Sequence, residues 1–270
     1  MWSSAQAEIK TIESGRVVSD QTGLPKQGAV VKIHLEVDLT SGGHDHSEKF
    51  ARRPRGNISG RNCVSDPDGT VPDTYDCTTG PDGHVDFTFN APEVSGTQNI
   101  TASCISPQCS GSITDHINVK VDGLWPILAS SYYELTEDGS SKIIGSTAEH
   151  GSNHYLTSDA QEQLWLLAQA FFEYQIRNGI ANPTLLHIND ASLEWGGKFD
   201  IKGKWAGKHK EHRRGTVIDI RANSASGAIP SVLTMNFKKI AKDFGVDAHL
   251  EYDNDPVMRH FHTRLLNRKE

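Results

Sequence analysis

The sequence predicts two domains of different class: an all-β antiparallel sandwich over residues 1–122 and a mixed α+β unit with a small antiparallel sheet over 123–270. Three observations point there. Short β-branched or alternating runs, separated by turn-forming residues, fill the first half. A long stretch with apolar residues at helical spacing opens the second half. The charge is unevenly divided: residues 1–122 carry 10 Lys+Arg against 16 Asp+Glu, and residues 123–270 carry 17 against 18.

In chain order, the expected strands of the first half are Val17-Val18, Ala29–Val37, Val85–Phe89, Asn99–Ala102 and Ile117–Val121. Between them stand turn signals such as Gly23-Leu-Pro25, Asp66-Pro-Asp-Gly69, Gly80-Pro-Asp-Gly83 and Ser95-Gly96. Residues 123–157 read as a connector, broken by Trp125-Pro126 and Glu137-Asp-Gly-Ser-Ser141. A helix follows over Gln163–Asn178, with caps at Thr157, Ser158 and Asp159 and a stop at Gly179. Its expected core face is Leu164, Leu167, Ala168, Phe171, Phe172 and Ile176. Leu185–Ile188 and Val217–Ile220 read as strands, Pro230–Phe244 as a second helix and Val257–Leu265 as a last strand.

At 270 residues and a net charge of -7, the composition is that of a globular protein. A basic nucleic-acid surface is not the default expectation, and no apolar run approaches a membrane span. The four cysteines, Cys63, Cys77, Cys104 and Cys109, all lie in the first half. Their clustering in a loop-rich region suggests two disulfides and an oxidising compartment, hence a secreted, periplasmic or cell-surface protein. Three pairings are possible; proximity alone favours Cys63–Cys77 and Cys104–Cys109. Met1–Ala7 lacks the basic and then apolar run of a signal peptide. An exported protein with this sequence is therefore expected in a mature or trimmed form.

The residues that carry chemistry lie near the C-terminus. His209-Lys-Glu-His212-Arg-Arg-Gly215-Thr-Val-Ile-Asp219 is followed much later by His260-Phe-His262. Two imidazoles and one carboxylate from these segments suit one Zn2+ ion with a fourth position left open for water, the ligand set of a catalytic rather than a structural site. Gly215 allows a sharp turn between His212 and Asp219. On a strand, His260 and His262 share one face while Phe261 points into the core. One of the two can bind metal while the other hydrogen-bonds a reacting group. There is no H-E-x-x-H; Glu211 is misplaced for a zincin helix, and no G-x-S-x-G elbow supports a serine hydrolase.

H-x-x-H-x-x-G-x-x-x-D with a distant H-x-H resembles the signature of lysostaphin-type peptidases, D-Ala-D-Ala metallopeptidases and the hedgehog signalling domain. It is most similar to penicillin-insensitive murein endopeptidases. The resemblance covers roughly residues 187–265. It implies His212, Asp219 and His262 as zinc ligands and His260 and His209 as catalytic histidines: His260 orients water or steadies the oxyanion, and His209, behind the ligands or on the substrate side, helps shuttle the proton to the leaving amine. It implies a zinc metallopeptidase whose activated water cleaves a cell-wall (peptidoglycan) peptide with histidine assistance. The dipeptidase branch places an acidic base three positions before the last ligand, where this chain has Arg259. That departure favours histidine assistance. It also keeps open a non-catalytic metal-binding adhesion protein, and a metallopeptidase acting on ordinary proteins is the other alternative. In the first half, Thr79–Gly96 resembles bacterial immunoglobulin-like repeats of surface and cell-wall proteins, which implies an immunoglobulin-like sandwich that binds a surface ligand.

Other features have ordinary readings beside functional ones. Lys198, Lys202, Lys204, Lys208, Lys210, Arg213 and Arg214 crowd the first motif; they form a solvated basic face or attract an anionic polymer. Gly196–Asp200 and Trp205 form a substrate-side loop or a plain turn with a packed tryptophan. His44 and His46 in a polar loop have metal-binding spacing but usually bind nothing. His150, Asn153 and His154 read as packing or interdomain-contact residues rather than catalytic ones.

Overall fold

The computed structural model describes residues 22–44, 51–65, 73–106, 111–136, 153–198, 205, 210–222, 228–255 and 259–266. Alternation of apolar side chains sets the first strands. Along β1 (Val30–Val37), Val31, Ile33, Leu35 and Val37 are buried, while the residues between them face outward. Beyond β1 come β2 (Asn57–Ser59), β3 (Cys63–Ser65), β4 (Thr74–Thr78), β5 (Thr88–Asn90), β6 (Gly96–Ser106) and β7 (Ser112–Val119). One sheet runs β3-β4-β1-β6-β7, antiparallel throughout, and β2 pairs with β5 in a separate ribbon. Ile58 of the ribbon joins Val31, Ile33, Leu35, Ile100 and Ile117 in one core, with Phe89 against it. This is a two-layer β unit.

Cys63 and Cys77 face each other across β3 and β4 and form a disulfide, the pairing expected from proximity. Cys104 is also disulfide-bonded; its expected partner Cys109 lies outside the described residues, as do Val17 and Val18. The strand expected from Val85 begins only at Thr88, although Val85 and Phe87 still pack against the core.

The chain divides into two compact units, Met1–Ser41 with Arg52–Lys120, and Gly42–Ala51 with Val121–Glu270. The linear reading missed that Gly42–Ala51 belongs with the second unit. There His44 is fully buried and packs edge-on against Trp205 at 5.3 Å.

The stretch read as a connector contains β8 (Leu124–Pro126), β9 (Tyr133–Leu135) and β10 (Tyr155–Thr157); residues 137–152 of it lie outside the described residues. Helix α1 (Ser158–Arg177) starts where the Thr157 hydroxyl accepts from the Ala160 amide. Leu164, Leu167, Ala168 and Phe171 are buried as the spacing predicts. Ile176 is not: it is 55 % exposed, and Gln175 turns inward instead. The Gln175 side-chain amide accepts from Thr184 N at 2.8 Å and donates to Thr184 O at 2.9 Å. That pairing satisfies the buried polar group and rotates the last turn of the apolar stripe.

Strand β11 (Leu186–Asp190), β12 (Val217–Arg221), helix α2 (Thr234–Asp243), β13 (Asp247–Glu251) and β14 (His260–Arg264) complete the unit. Its sheet order is β13-β14-β12-β11-β9. The sheet was expected to be antiparallel, but β9 joins β11 in parallel. A parallel pair needs a long crossover, and α1 supplies it. Ile188, Ile218, Ile220 and Phe261 pack with Leu164, Leu167, Phe171 and Phe237, so α1 and α2 cover one face of the sheet. Phe171, Phe237 and Phe261 meet in series, at 5.2 and 4.8 Å between ring centroids. Among the described residues no helix is long and apolar enough to cross a membrane.

Phe237 is fully buried between the other two rings. Phe237→Ala is expected to destabilise the protein by about 3–5 kcal/mol, measured by denaturant unfolding. A loss under about 1 kcal/mol would mean that this aromatic series does not hold the helices to the sheet.

Candidate metal centre

The sheet face away from the helices carries the polar side chains. Strand parity puts Ile218, Ile220 and Phe261 into the core and leaves Asp219, Arg221, His260, His262 and Arg264 on the other side. Register then aligns them in rows. Asp219 stands opposite His262, Arg221 opposite His260, and Val217 opposite Arg264. On β13 the same rows continue with His249, Glu251 and Asp247.

A β-bulge extends the first row onto β11. Ile188 pairs with Ile220, but Asp190 pairs with Asp219, so Asn189 is the extra residue. Asn189 Oδ1 accepts from Arg221 Nε at 2.6 Å, and Asp190 Oδ1 accepts from Asn153 Nδ2 at 2.5 Å. Both side chains thus serve the polar face, which regular alternation would have denied to one of them.

His212 arrives from a single 3-10 turn, His212–Arg214, that ends at Gly215. Gly215 has φ 67° and ψ 34°, the left-handed region. A Cβ there would also lie 2.2 Å from Leu124 Cδ2 and 3.2 Å from the Leu156 Cα. Glycine is required both by conformation and by space. The turn folds His212 back over β12 toward Asp219, seven residues on. A second close approach braces it: Gly197 N donates to Arg213 O at 3.0 Å, and a Cβ on Gly196 would lie 2.6 Å from that same oxygen.

The three side chains converge. His212 Nε2 lies 3.3 Å from Asp219 Oδ1, and His262 Nδ1 lies 3.0 Å from the same oxygen. The donor atoms of His212, Asp219 and His262 all fall within 4.8 Å of one another, and this group could hold a metal ion. An ion bound tetrahedrally at the usual ~2.0–2.2 Å needs donors about 3.3–3.6 Å apart, so two edges of the polyhedron are already near their final length. His260 stands beside the group. Its Nε2 is 3.7 Å from Asp219 Oδ2 and 3.6 Å from Glu251 Oε2, and the Tyr252 ring lies 5.7 Å from its own.

Charge in this cluster is tightly balanced. Burial pushes the Asp219 carboxyl upward, but the imidazoles of His212, His262 and His260 outweigh it and hold the group well below its ordinary range. Burial lowers His262; hydrogen bonds and charge from Asp219, then from Glu211, overcome it and raise the imidazole to about 9. Hydrogen bonding from Arg264 is the main reason Glu211 falls to about 2.

Of the residues singled out in the sequence, His212, Asp219, His262 and His260 are brought together. His209 lies outside the described residues, as do His46, His150, Lys202, Lys204, Lys208, Phe199 and Asp200. Among the basic residues Arg213 is buried, while Lys210 and Arg214 are exposed. Arg259 faces away: it donates to Asp253 Oδ1 at 3.0 Å, Ala222 O at 3.0 Å and Thr234 Oγ1 at 3.2 Å. Sequence reasoning missed Glu251, Asn189, Asp190, Arg264 and the part played by Glu211. Glu251 had a signal, the alternation Asp247-Ala-His-Leu-Glu251 that makes β13, with Ala248 and Leu250 toward the core.

No protein-family model matches the chain, and neither a curated protein nor a solved structure is found that resembles it.

Two outcomes follow from this geometry. Gly215→Ala is expected to cost at least about 1–2 kcal/mol from the left-handed backbone alone and to weaken metal uptake. Calorimetry and metal titration check both, and unchanged values would show that the turn can relax without moving His212. Metal uptake must also displace the proton between His262 Nδ1 and Asp219 Oδ1. Below about pH 9, where His262 is protonated in the metal-free protein, each ion should release about one proton, and apparent affinity should rise about tenfold per pH unit. Calorimetric titration in buffers of different ionisation enthalpy reads the proton count; no release at pH 7 would contradict the arrangement.

Proposed function

We propose that the second unit is a zinc-dependent amide hydrolase acting on bacterial cell-wall peptides. The observation that carries this reading is the donor set itself. Two imidazoles and one carboxylate, two of them nearly fully buried, converge on one point while a fourth titratable residue, His260, stands beside them. Imidazole with carboxylate suits zinc, and three protein ligands leave a coordination position for chemistry. When bound, zinc would polarise a scissile carbonyl and lower the pKa of a water molecule to about 7.

The chain's own residues divide the remaining work. His212, Asp219 and His262 hold the ion. His260, flanked by Asp219 and Glu251, takes a proton from the attacking water and delivers it to the leaving amine, a role suited to an imidazole. Glu251 supplies a carboxylate next to His260 from the neighbouring strand, where the dipeptidase branch uses an acid in the place of Arg259. With its guanidinium committed to Asp253, Ala222 and Thr234, Arg259 does not close the site. The class of substrate rests on the resemblance of H-x-x-H-x-x-G-x-x-x-D and H-x-H to murein endopeptidases. In this reading the first unit is an immunoglobulin-like module that binds a surface ligand. The disulfide Cys63–Cys77 is consistent with a secreted, periplasmic or cell-surface location.

Digestion of purified muropeptides with and without a chelator tests the proposal. Cleavage that chelation abolishes and zinc restores is the expected result. His260→Ala is expected to keep its metal and lose about 100- to 10,000-fold in turnover. Stoichiometric zinc binding with no cleavage of any muropeptide would overturn the enzymatic reading in favour of a metal-binding adhesion module.

A further inference from the structure

Glu211 precedes a metal-binding candidate in sequence and touches another in space. Its Oε2 lies 3.2 Å from His262 Nε2. The other nitrogen of that ring, Nδ1, is the one that faces Asp219. Both oxygens of Glu211 are engaged by one guanidinium: Arg264 donates from Nε to Oε2 at 2.5 Å and from the NH2 nitrogen to Oε1 at 2.9 Å. The third nitrogen of Arg264 donates to Asp247 Oδ2 at 2.6 Å. Arg264 and His262 are two residues apart on β14 and share its polar face, and Asp247 stands opposite Arg264 on β13. A continuous chain therefore runs Asp247, Arg264, Glu211, His262, Asp219, across β13, β14, the His212 turn and β12.

We infer that Glu211, clamped by Arg264, is a positioning residue for the metal: it fixes the orientation of the His262 ring and bolts the turn carrying His212 onto β14. The inference rests on reading His212, Asp219 and His262 as a metal centre. An imidazole that binds an ion through one nitrogen keeps its proton on the other. A carboxylate at Nε2 accepts from that N–H and aims Nδ1 at the donor set. The bidentate contact with Arg264 gives the carboxylate one orientation. Glu211 is half exposed, and an exposed ion pair adds little by attraction alone; geometry is its contribution. With both oxygens held by Arg264, Glu211 is not a fourth ligand.

The test titrates full-length protein with Zn2+ against a chromophoric competitor and follows the His262 Nε2–H proton resonance in the zinc-loaded protein. Metal-free thermal unfolding confirms that each variant folds. Glu211→Ala is expected to weaken Zn2+ binding by about 10- to 100-fold and to lose the hydrogen-bonded Nε2–H resonance to exchange with water. Glu211→Gln keeps an oxygen that can accept from Nε2–H, so it should restore that resonance and recover part of the affinity. If Glu211→Ala fails to fold, Arg264→Lys serves: it keeps the charge, removes the bidentate clamp and should lose affinity several-fold. Wild-type affinity in these variants, or an unchanged Nε2–H resonance in Glu211→Ala, would overturn this role alone. A wild-type protein that takes up no Zn2+ would overturn the metal-centre reading and this role with it.

Discussion

Asp219 is a carboxylate only 3 % exposed on an interior strand, with β11 on one side and β14 on the other. A buried anion in that position is costly unless it is paired and hydrogen-bonded. The surrounding structure supplies the pairing from separate parts of the chain. His212 comes from the 3-10 turn, His262 from the strand opposite, and His260 from the next row. Each of these positions answers the same electrostatic demand, which is why the elements that carry them are held so closely. A metal ion held by the His212, Asp219 and His262 group could meet the same demand.

The sheet makes this arrangement possible by separating its two tasks. One face buries Ile188, Ile218, Ile220 and Phe261 against the helices, and hydrophobic burial there stabilises the unit. The other face is free to carry charge. Phe261 sits between His260 and His262 and belongs to the aromatic series with Phe237 and Phe171. Packing on the core side thus limits how far the two histidines can move on the site side.

Much of this was legible in the chain. The alternation of β1, the cap at Thr157, the helical spacing from Leu164 to Phe171 and the pairing of Cys63 with Cys77 all depend on neighbours in sequence or on short loops. The parity that separates His260 and His262 from Phe261 is equally local. Other features were not legible. Strand β9 joins β11 in parallel through a long connection that contains α1, and Gly42–Ala51 belongs with the second unit. Gln175 replaces Ile176 in the core because Thr184, nine residues on, offers both a donor and an acceptor. The bulge at Asn189 becomes evident only when β12 lies beside it.

By itself, the sequence determined which residue types were available for the site and which side of each strand they would occupy, because side-chain direction alternates with a period of two. It also determined that a turn was possible at Gly215. Only the tertiary structure decided which partners those residues meet. Contacts between Glu211 and His262, His260 and Glu251, or Asp190 and Asn153 join segments 51, 9 and 37 residues apart, and strand order and register set them. No local preference of the backbone encodes such distances. They arise when the core closes and leaves a single register in which the apolar face is buried and the anion at Asp219 is compensated.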